Sequence, residues 1–193
     1  MRIEICGGIA SGKSTLTNML GEEGFYTVYE NLTEVPFLDE FYSNPDLFTF
    51  ETEISFLLHH SVEIKKASNC SKPIICDYSF EQDYAYAMNN LNSNGLEIFQ
   101  AVLNEIQMRI GKPELIIRLQ CSTEEKIKRI RNRGRLNELQ ISEEYLNNTD
   151  LMITNRLKDI TIPVICVNTE KQDFRKSEIV KDVLLPLIQP YLS

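Results

Sequence analysis

Apolar positions along this chain fall into two rhythms. Five short runs are apolar on consecutive positions and rich in β-branched residues: RIEICGG from Arg2, FYTVYE from Phe25, KPIICDY from Lys72, ELIIRLQ from Glu114 and IPVICVN from Ile162. The stretches between them space their apolar residues three and four apart, as helices do. Strands that are apolar on both faces and alternate with helices predict a parallel sheet covered on both sides. The expected class is therefore a three-layer α/β domain with five parallel strands, spanning 1–193 as a single unit without repeats or linkers.

Helix starts are marked in the sequence. Asn44-Pro45 reads as an N-cap followed by the proline favoured at the first helical position, opening a long helix to about Ser68. Ser122 with Glu125 reads as a capping box, and Ile141-Ser142 with Leu146 as a staple and cap. The segment 132–141, broken at Gly134, is then a loop between two helices, of a length and charge suited to a lid.

The first strand leads into GGIASGKS at 7–14, which matches G-x-x-x-x-G-K-[ST] and stands directly before the helical LTNML. Glycines let such a loop turn its N–H groups inward around a β-phosphate. The spacing assigns Gly7, Gly8, Ile9, Ala10, Ser11, Gly12, Lys13, Ser14 and Thr15 to ATP binding, with Lys13 on the β- and γ-phosphates and the Ser14 hydroxyl on Mg²⁺. GTPase base-reading signatures such as N-K-x-D are absent from the sequence.

Charge adds a second landmark. The formal net charge is -8, yet KIKRIRNRGR at 126–135 holds six cations in ten positions. Arginines brought over a γ-phosphoryl group are the expected equipment of a small-molecule kinase, whose catalysis is mostly positioning and charge stabilisation. Arg129 and Arg133, four apart, share a helix face, and Arg131 with Arg135 forms the next row. The acidic balance argues against a nucleic-acid polymer as partner. No apolar run approaches the roughly 20 residues of a membrane span, so the expectation is a cytoplasmic protein without a membrane partner. Five cysteines without C-x-x-C spacing fit neither a disulfide framework nor zinc; Cys6, Cys76, Cys121 and Cys166 read as small core residues.

The phosphate loop, VYENLTEVPFLDEFYSNPDLFTFETEISFLL, the strand end ICDYS followed by Asp83, and RIRNRGRLNE, in this order and spacing, resemble the deoxynucleoside kinase family, particularly its bacterial deoxyadenosine and deoxyguanosine kinase branch. The resemblance covers Met1 to about Leu157. It implies an ATP- and Mg²⁺-dependent transfer to the 5′-hydroxyl of a nucleoside. Glu30 falls at the family's general base, a role for which a carboxylate within reach of the hydroxyl is chemically apt. Tyr42 and Glu138 match positions that bind the deoxyribose 3′-hydroxyl, and Asp77 the acidic residue near Mg²⁺. Arg129, Arg133 and Arg135 match lid arginines on the phosphates or the ATP base; Arg129 joins Glu30 and Lys13 as catalytic. A homodimer packed through helices is implied as well.

Departures from the family pattern cluster on the acceptor side. Tyr78 stands where the D/E-R-S motif has arginine, Glu53 where a glutamine reads the nucleobase, His60 where a second arginine follows, and Asn31 where a proline is usual. Glu53, His60 and Asp83 are thus assigned to nucleoside binding. An ionised Glu53 only accepts hydrogen bonds and, beside Asp83, favours a donor-rich edge such as guanine's, hence a purine. An acid pair that shares a proton, or that recruits His60 as a cation, would restore a donor. Two other readings stand beside this one: a kinase of another small molecule or of a nucleoside monophosphate, and a catalytically dead nucleotide-binding regulator.

Overall fold

The computed structural model describes residues 1–192. Its five strands are β1 (Arg2–Cys6), β2 (Tyr26–Val28), β3 (Ile74–Cys76), β4 (Leu115–Gln120) and β5 (Val164–Asn168), all parallel, in the spatial order β2-β3-β1-β4-β5. Each lies inside an apolar run identified in the sequence. The helices are α1 (Lys13–Glu22), α2 (Leu38–Ser43), α3 (Pro45–Ala67), α4 (Phe80–Asn90), α5 (Ser93–Ile110), α6 (Thr123–Arg133) and α7 (Glu143–Lys158). A helical segment over 177–191 closes the chain; its π turn at Val180–Leu184 comes just before Pro186, which has no N–H to continue an α-helical ladder.

Alternation along the strands divides the core. Ile3 and Ile5 of β1, with Leu115, Ile117 and Leu119 of β4, pack against Leu16 and Leu20 of α1 and Val180, Leu184 and Ile188 of the C-terminal segment. The opposite face packs Val28, Ile74 and Cys76 against Leu57 and Ile64 of α3 and Phe99, Leu103 and Ile106 of α5. Cys6 and Ile116 continue that face toward Ala85 and Ile153. This is the three-layer arrangement predicted. Two cysteines depart from expectation: Cys166 is exposed and Cys121 half-buried, because β5 is an edge strand and Cys121 already lies beyond the end of β4.

Helix ends follow the predicted caps with small differences. Ser122 Oγ accepts from Glu125 N at 3.2 Å, but Ser122 N turns to Glu170 rather than back to Glu125, which instead pairs with Arg129. Ser142 caps α7 through Tyr145 N at 3.1 Å. Pro45 occupies the first turn of α3 while the Asn44 side chain makes no capping bond.

The connection after β1 leads to the outer strand β2, whereas the one after β3 crosses to β4. The reversal places a crevice at the carboxyl ends of β1 and β3, where ligands of open α/β sheets bind. The glycine loop follows β1 and Asp77 follows β3, so both open onto that crevice.

Candidate active site

The loop from Gly7 to Ser14 is wound by its own backbone. Ser11 N donates to Gly8 O at 3.2 Å, and Gly7 N is held by Gln82 Oε1 of α4 at 2.9 Å. Gly12 has φ +104°, a conformation that favours glycine, and Ala10 also takes positive φ at 59°. A Cβ at Gly7 would lie 2.3 Å from Ser11 Oγ, so only glycine fits there without a shift. Lys13 Nζ rests on Gly7 O at 2.8 Å. Ammonium and inward N–H groups at the start of α1 together form an anion cradle.

Glu30 follows β2 and is partly buried, its side chain 22% exposed. Burial pulls its carboxyl up, but the adjacent His60, then Lys13 and Arg135, hold it below the ordinary carboxylate value. Asp77, at the end of β3, is raised to about 6 by burial, with Lys13 and the Ser14 hydroxyl pulling the other way. Asp83 on α4 and Glu53 on α3 form the far wall. Glu53 Oε1 accepts from Asn90 Nδ2 at 2.6 Å, and Asn90 Nδ2 also reaches Tyr145 Oη at 3.2 Å. Burial, reinforced by the Asp83 charge, pushes Glu53 up to about 8. The expectation of an acceptor-only Glu53 is thereby corrected: at neutral pH the group is mainly the neutral acid, which both donates and accepts.

His60 does not face the cleft as its helical spacing suggested. It is fully buried behind Glu30 and Asp83, with Nδ1 2.8 Å from Asp83 Oδ2 and Nε2 3.4 Å from Glu30 Oε1. Its ring stacks on Tyr78 at 3.7 Å between centroids and 7° between planes. Of the two ways in which the acid pair could regain a donor, the raised Glu53 fits the first, while His60 pairs with Asp83 and Glu30 and does not reach Glu53.

The lid closes the cleft from the other side. Arg129 spends its guanidinium on the loop: Nη1 donates to Ala10 O and Ser11 O, both at 3.3 Å, and to Thr169 Oγ1 at 3.0 Å, while Nη2 donates to Thr169 O at 2.9 Å. Arg133 and Arg135 converge on the buried Glu138, Arg135 Nη1 at 3.1 Å from Oε1. Gly134, at φ +69°, ends α6 and turns the chain into this lid. Half-buried Tyr42 lies opposite, and its hydroxyl is pushed up by burial and then by the charges of Glu138 and Glu30.

These parts share one cleft of about 1330 Å³, which Lys13, Ser14, Glu30, Tyr42, Glu53, Asp77, Asp83, Glu138, Arg129, Arg133 and Arg135 all line. That volume exceeds what one small ligand occupies and suits two placed end to end. Gln82, Asn90, Tyr145 and Thr169 carry contacts that no sequence pattern announced. Ser14 Oγ and the Asp77 carboxylate are adjacent hard oxygen donors, a set that fits Mg²⁺. Another trio of potential metal donors, Glu34, His59 and Glu63, lies outside this cleft, with Glu34 already bound by Asn31 and Glu63 by Lys66.

The profile of the deoxynucleoside kinase family matches residues 3–192. The chain is 29% identical over 182 residues to a deoxyguanosine kinase of Bacillus subtilis (strain 168), covering 89% of this chain and 88% of that one. It is 30% identical over 179 residues to a deoxyadenosine kinase of Dictyostelium discoideum, covering 86% and 71%. Among solved structures, the deoxyadenosine kinase from M. mycoides with bound dCTP superposes with a TM-score of 0.81 at 25% identity, over 96% of this chain and all of that one. With the phosphate loop, the acidic cleft and the arginine lid in place on this fold, the chain belongs to the deoxynucleoside kinase family.

Proposed function

We propose that the protein transfers the γ-phosphoryl group of ATP to the 5′-hydroxyl of a purine deoxynucleoside. The observation that carries this reading is that the nucleotide loop, Glu30, Glu53 and Asp83 all line one cleft. ATP occupies the loop end, and Lys13 exchanges its Gly7 carbonyl for phosphate oxygens. The nucleoside occupies the other end, its sugar near Tyr42 and Glu138 and its base at Glu53 and Asp83. Glu30, kept ionised by its surroundings, accepts the 5′-hydroxyl proton as that oxygen attacks phosphorus and ADP departs. Arg133 and Arg135 supply positive charge at the transferring group, while Arg129 keeps the loop in shape. Ser14 and Asp77 would hold Mg²⁺, which supplies neutralisation of the polyphosphate charge.

A neutral Glu53 pairs in two directions with the N1 acceptor and N6 donor of adenine, whereas its ionised form suits guanine's N1–H and N2–H₂. Either supports a purine, and similarity to deoxyguanosine and deoxyadenosine kinases points the same way. A nucleoside monophosphate is disfavoured as acceptor, because Glu30 and Asp77 would face its phosphate.

Several features support one kinase domain that works in the cytoplasm as a homodimer. No helix of the described residues is long and apolar enough to cross a membrane. Leu47, Phe50, Leu58 and Val62 lie exposed along one stripe of α3, and Ile98 and Met108 along one stripe of α5, which packs beside it. A second copy of the same face would cover both.

The test is ADP release with Mg·ATP across the common deoxynucleosides and ribonucleosides, with Glu30→Gln alongside. Turnover is expected on purine deoxynucleosides and should fall by about 10²–10⁴-fold in E30Q. ATP binding without turnover on any nucleoside would overturn the reading.

A further inference from the structure

His60 presents both ring nitrogens to carboxylates, and nothing else polar from a side chain touches them. Nδ1 meets Asp83 Oδ2 at 2.8 Å in a hydrogen bond, whereas Nε2 lies 3.4 Å from Glu30 Oε1 in an ion-pair contact without hydrogen-bond geometry, and the ring itself has no solvent exposure. A neutral imidazole has one N–H and one acceptor lone pair, so it would turn a lone pair toward one of the two acids. With Asp83 and Glu30 both ionised, only the imidazolium, with two N–H groups, suits both; burial pushes the Asp83 carboxyl up, and the His60 charge and hydrogen bond oppose that rise. The ring cannot turn away: Tyr78 covers one face in parallel contact, and the Tyr78 hydroxyl donates to His60 O at 3.2 Å. Phe56, on the same helix, stands at a tilt with centroids 5.8 Å apart.

We infer that His60, clamped as a cation between Asp83 and Glu30, is a positioning residue of the acceptor site, holding Glu30 ionised and turned to the 5′-hydroxyl. This rests on the kinase reading above and adds to it a residue that touches neither nucleoside nor phosphate. The pairing engages one oxygen of Glu30 and leaves the carboxylate on the cleft wall, while Asp83, bound to the same ring, is fixed beside the base pocket.

Other charges around the ring are accounted for. Lys13 of α1 and Arg135 of the lid act on Glu30 from the cleft side, and Asp77, after β3, adds a further negative charge near the ring. His59 and Glu63 share α3 with His60, and Glu53 lies two turns earlier. Burial alone would discharge the ring; the Asp83 charge and hydrogen bond, joined by Glu30, outweigh it and push His60 up to about 10.

Two measurements test the inference. The chain has two histidines, so the ring nitrogens of His60 can be assigned by ¹⁵N spectroscopy with His59→Gln as the reference. Both nitrogens of His60 should carry protons at pH 8; a singly protonated ring there overturns the inference whatever the kinetics show. In pH profiles of kcat/KM, His60→Gln should lower kcat about 10–100-fold and move the acid limb up by about one unit, with the KM for ATP unchanged. His60→Arg, which keeps the cation, should recover most of the loss. A His60→Gln enzyme that melts earlier but keeps the wild-type acid limb would show a merely structural residue and overturn it. If the wild-type chain phosphorylates no nucleoside, the kinase reading fails, and the spectrum still decides the charge of the ring.

Discussion

Glu53 shows how burial changes the chemical meaning of a residue. Its ordinary value is 4.5, and burial with the nearby Asp83 charge lifts it to about 8 in the folded chain. A carboxyl raised in this way contributes stability that is fully present below about 4.5 and is lost as pH rises toward 8. Glu53→Gln removes this linkage while keeping shape and the partner Asn90. Between pH 4.5 and 8.5 the melting temperature of the wild type should therefore fall by about 5–10 °C relative to E53Q, measured by calorimetry at both ends. A parallel shift of the two proteins would show that Glu53 ionises normally. In activity, E53Q should resemble the wild type at pH 7 on deoxyadenosine, because a glutamine amide also donates and accepts. Raising the pH toward 9 should shift the wild type, and not E53Q, toward guanine.

At the scale of elements, α6 and α7 are tied to the glycine loop from beneath. Lys126 of α6 and Arg118 of β4, both almost fully buried, share Asp150 of α7, with Arg118 Nη2 at 3.0 Å from Oδ1. A Cβ at Gly8 would come within 3.0 Å of Asp150 Oδ1 and 3.2 Å of Lys126 Nζ, so the ion cluster and the loop are in contact. Arg129 adds a second tie, from α6 to the loop carbonyls and Thr169. Asp150→Asn would leave two buried cations without their anion, a loss of about 3–5 kcal/mol. The expected result is a melting temperature lower by roughly 10 °C together with weaker ATP binding, read by calorimetry and titration. Wild-type stability in D150N would mean that other groups compensate the two cations.

For the whole molecule, the two apolar stripes of α3 and α5 lie on the outer side of the layer whose inner side covers the sheet. Pairing two such faces would bury the stripe by the same hydrophobic force that packs Leu57 and Phe99 inward. Leu58→Arg places a charge at the centre of the α3 stripe without touching the core, since Leu58 is 48% exposed. Sedimentation should show a dimer for the wild type and a monomer for L58R, with the fold retained. A monomeric wild type at micromolar concentration would refute the homodimer.

Local order was legible in the sequence. The five strands, the long helix near 45–67, the break at Gly134 and the nucleotide loop all follow from patterns within a few residues, because backbone hydrogen bonds, caps and positive-φ glycines are local demands. The residues of the cleft could be named from their resemblance to a family, but their partners could not. That Arg129 serves the loop and that Asn90 holds Glu53 depend on contacts between groups far apart in the chain. The state of His60 is the clearest case. By its spacing it was a pocket residue on α3; only the packing of α3 against α4 and the ends of β2 and β3 seals it between two acids and against Tyr78. Charge state depends on what surrounds a group in three dimensions, and no one-dimensional pattern carries that.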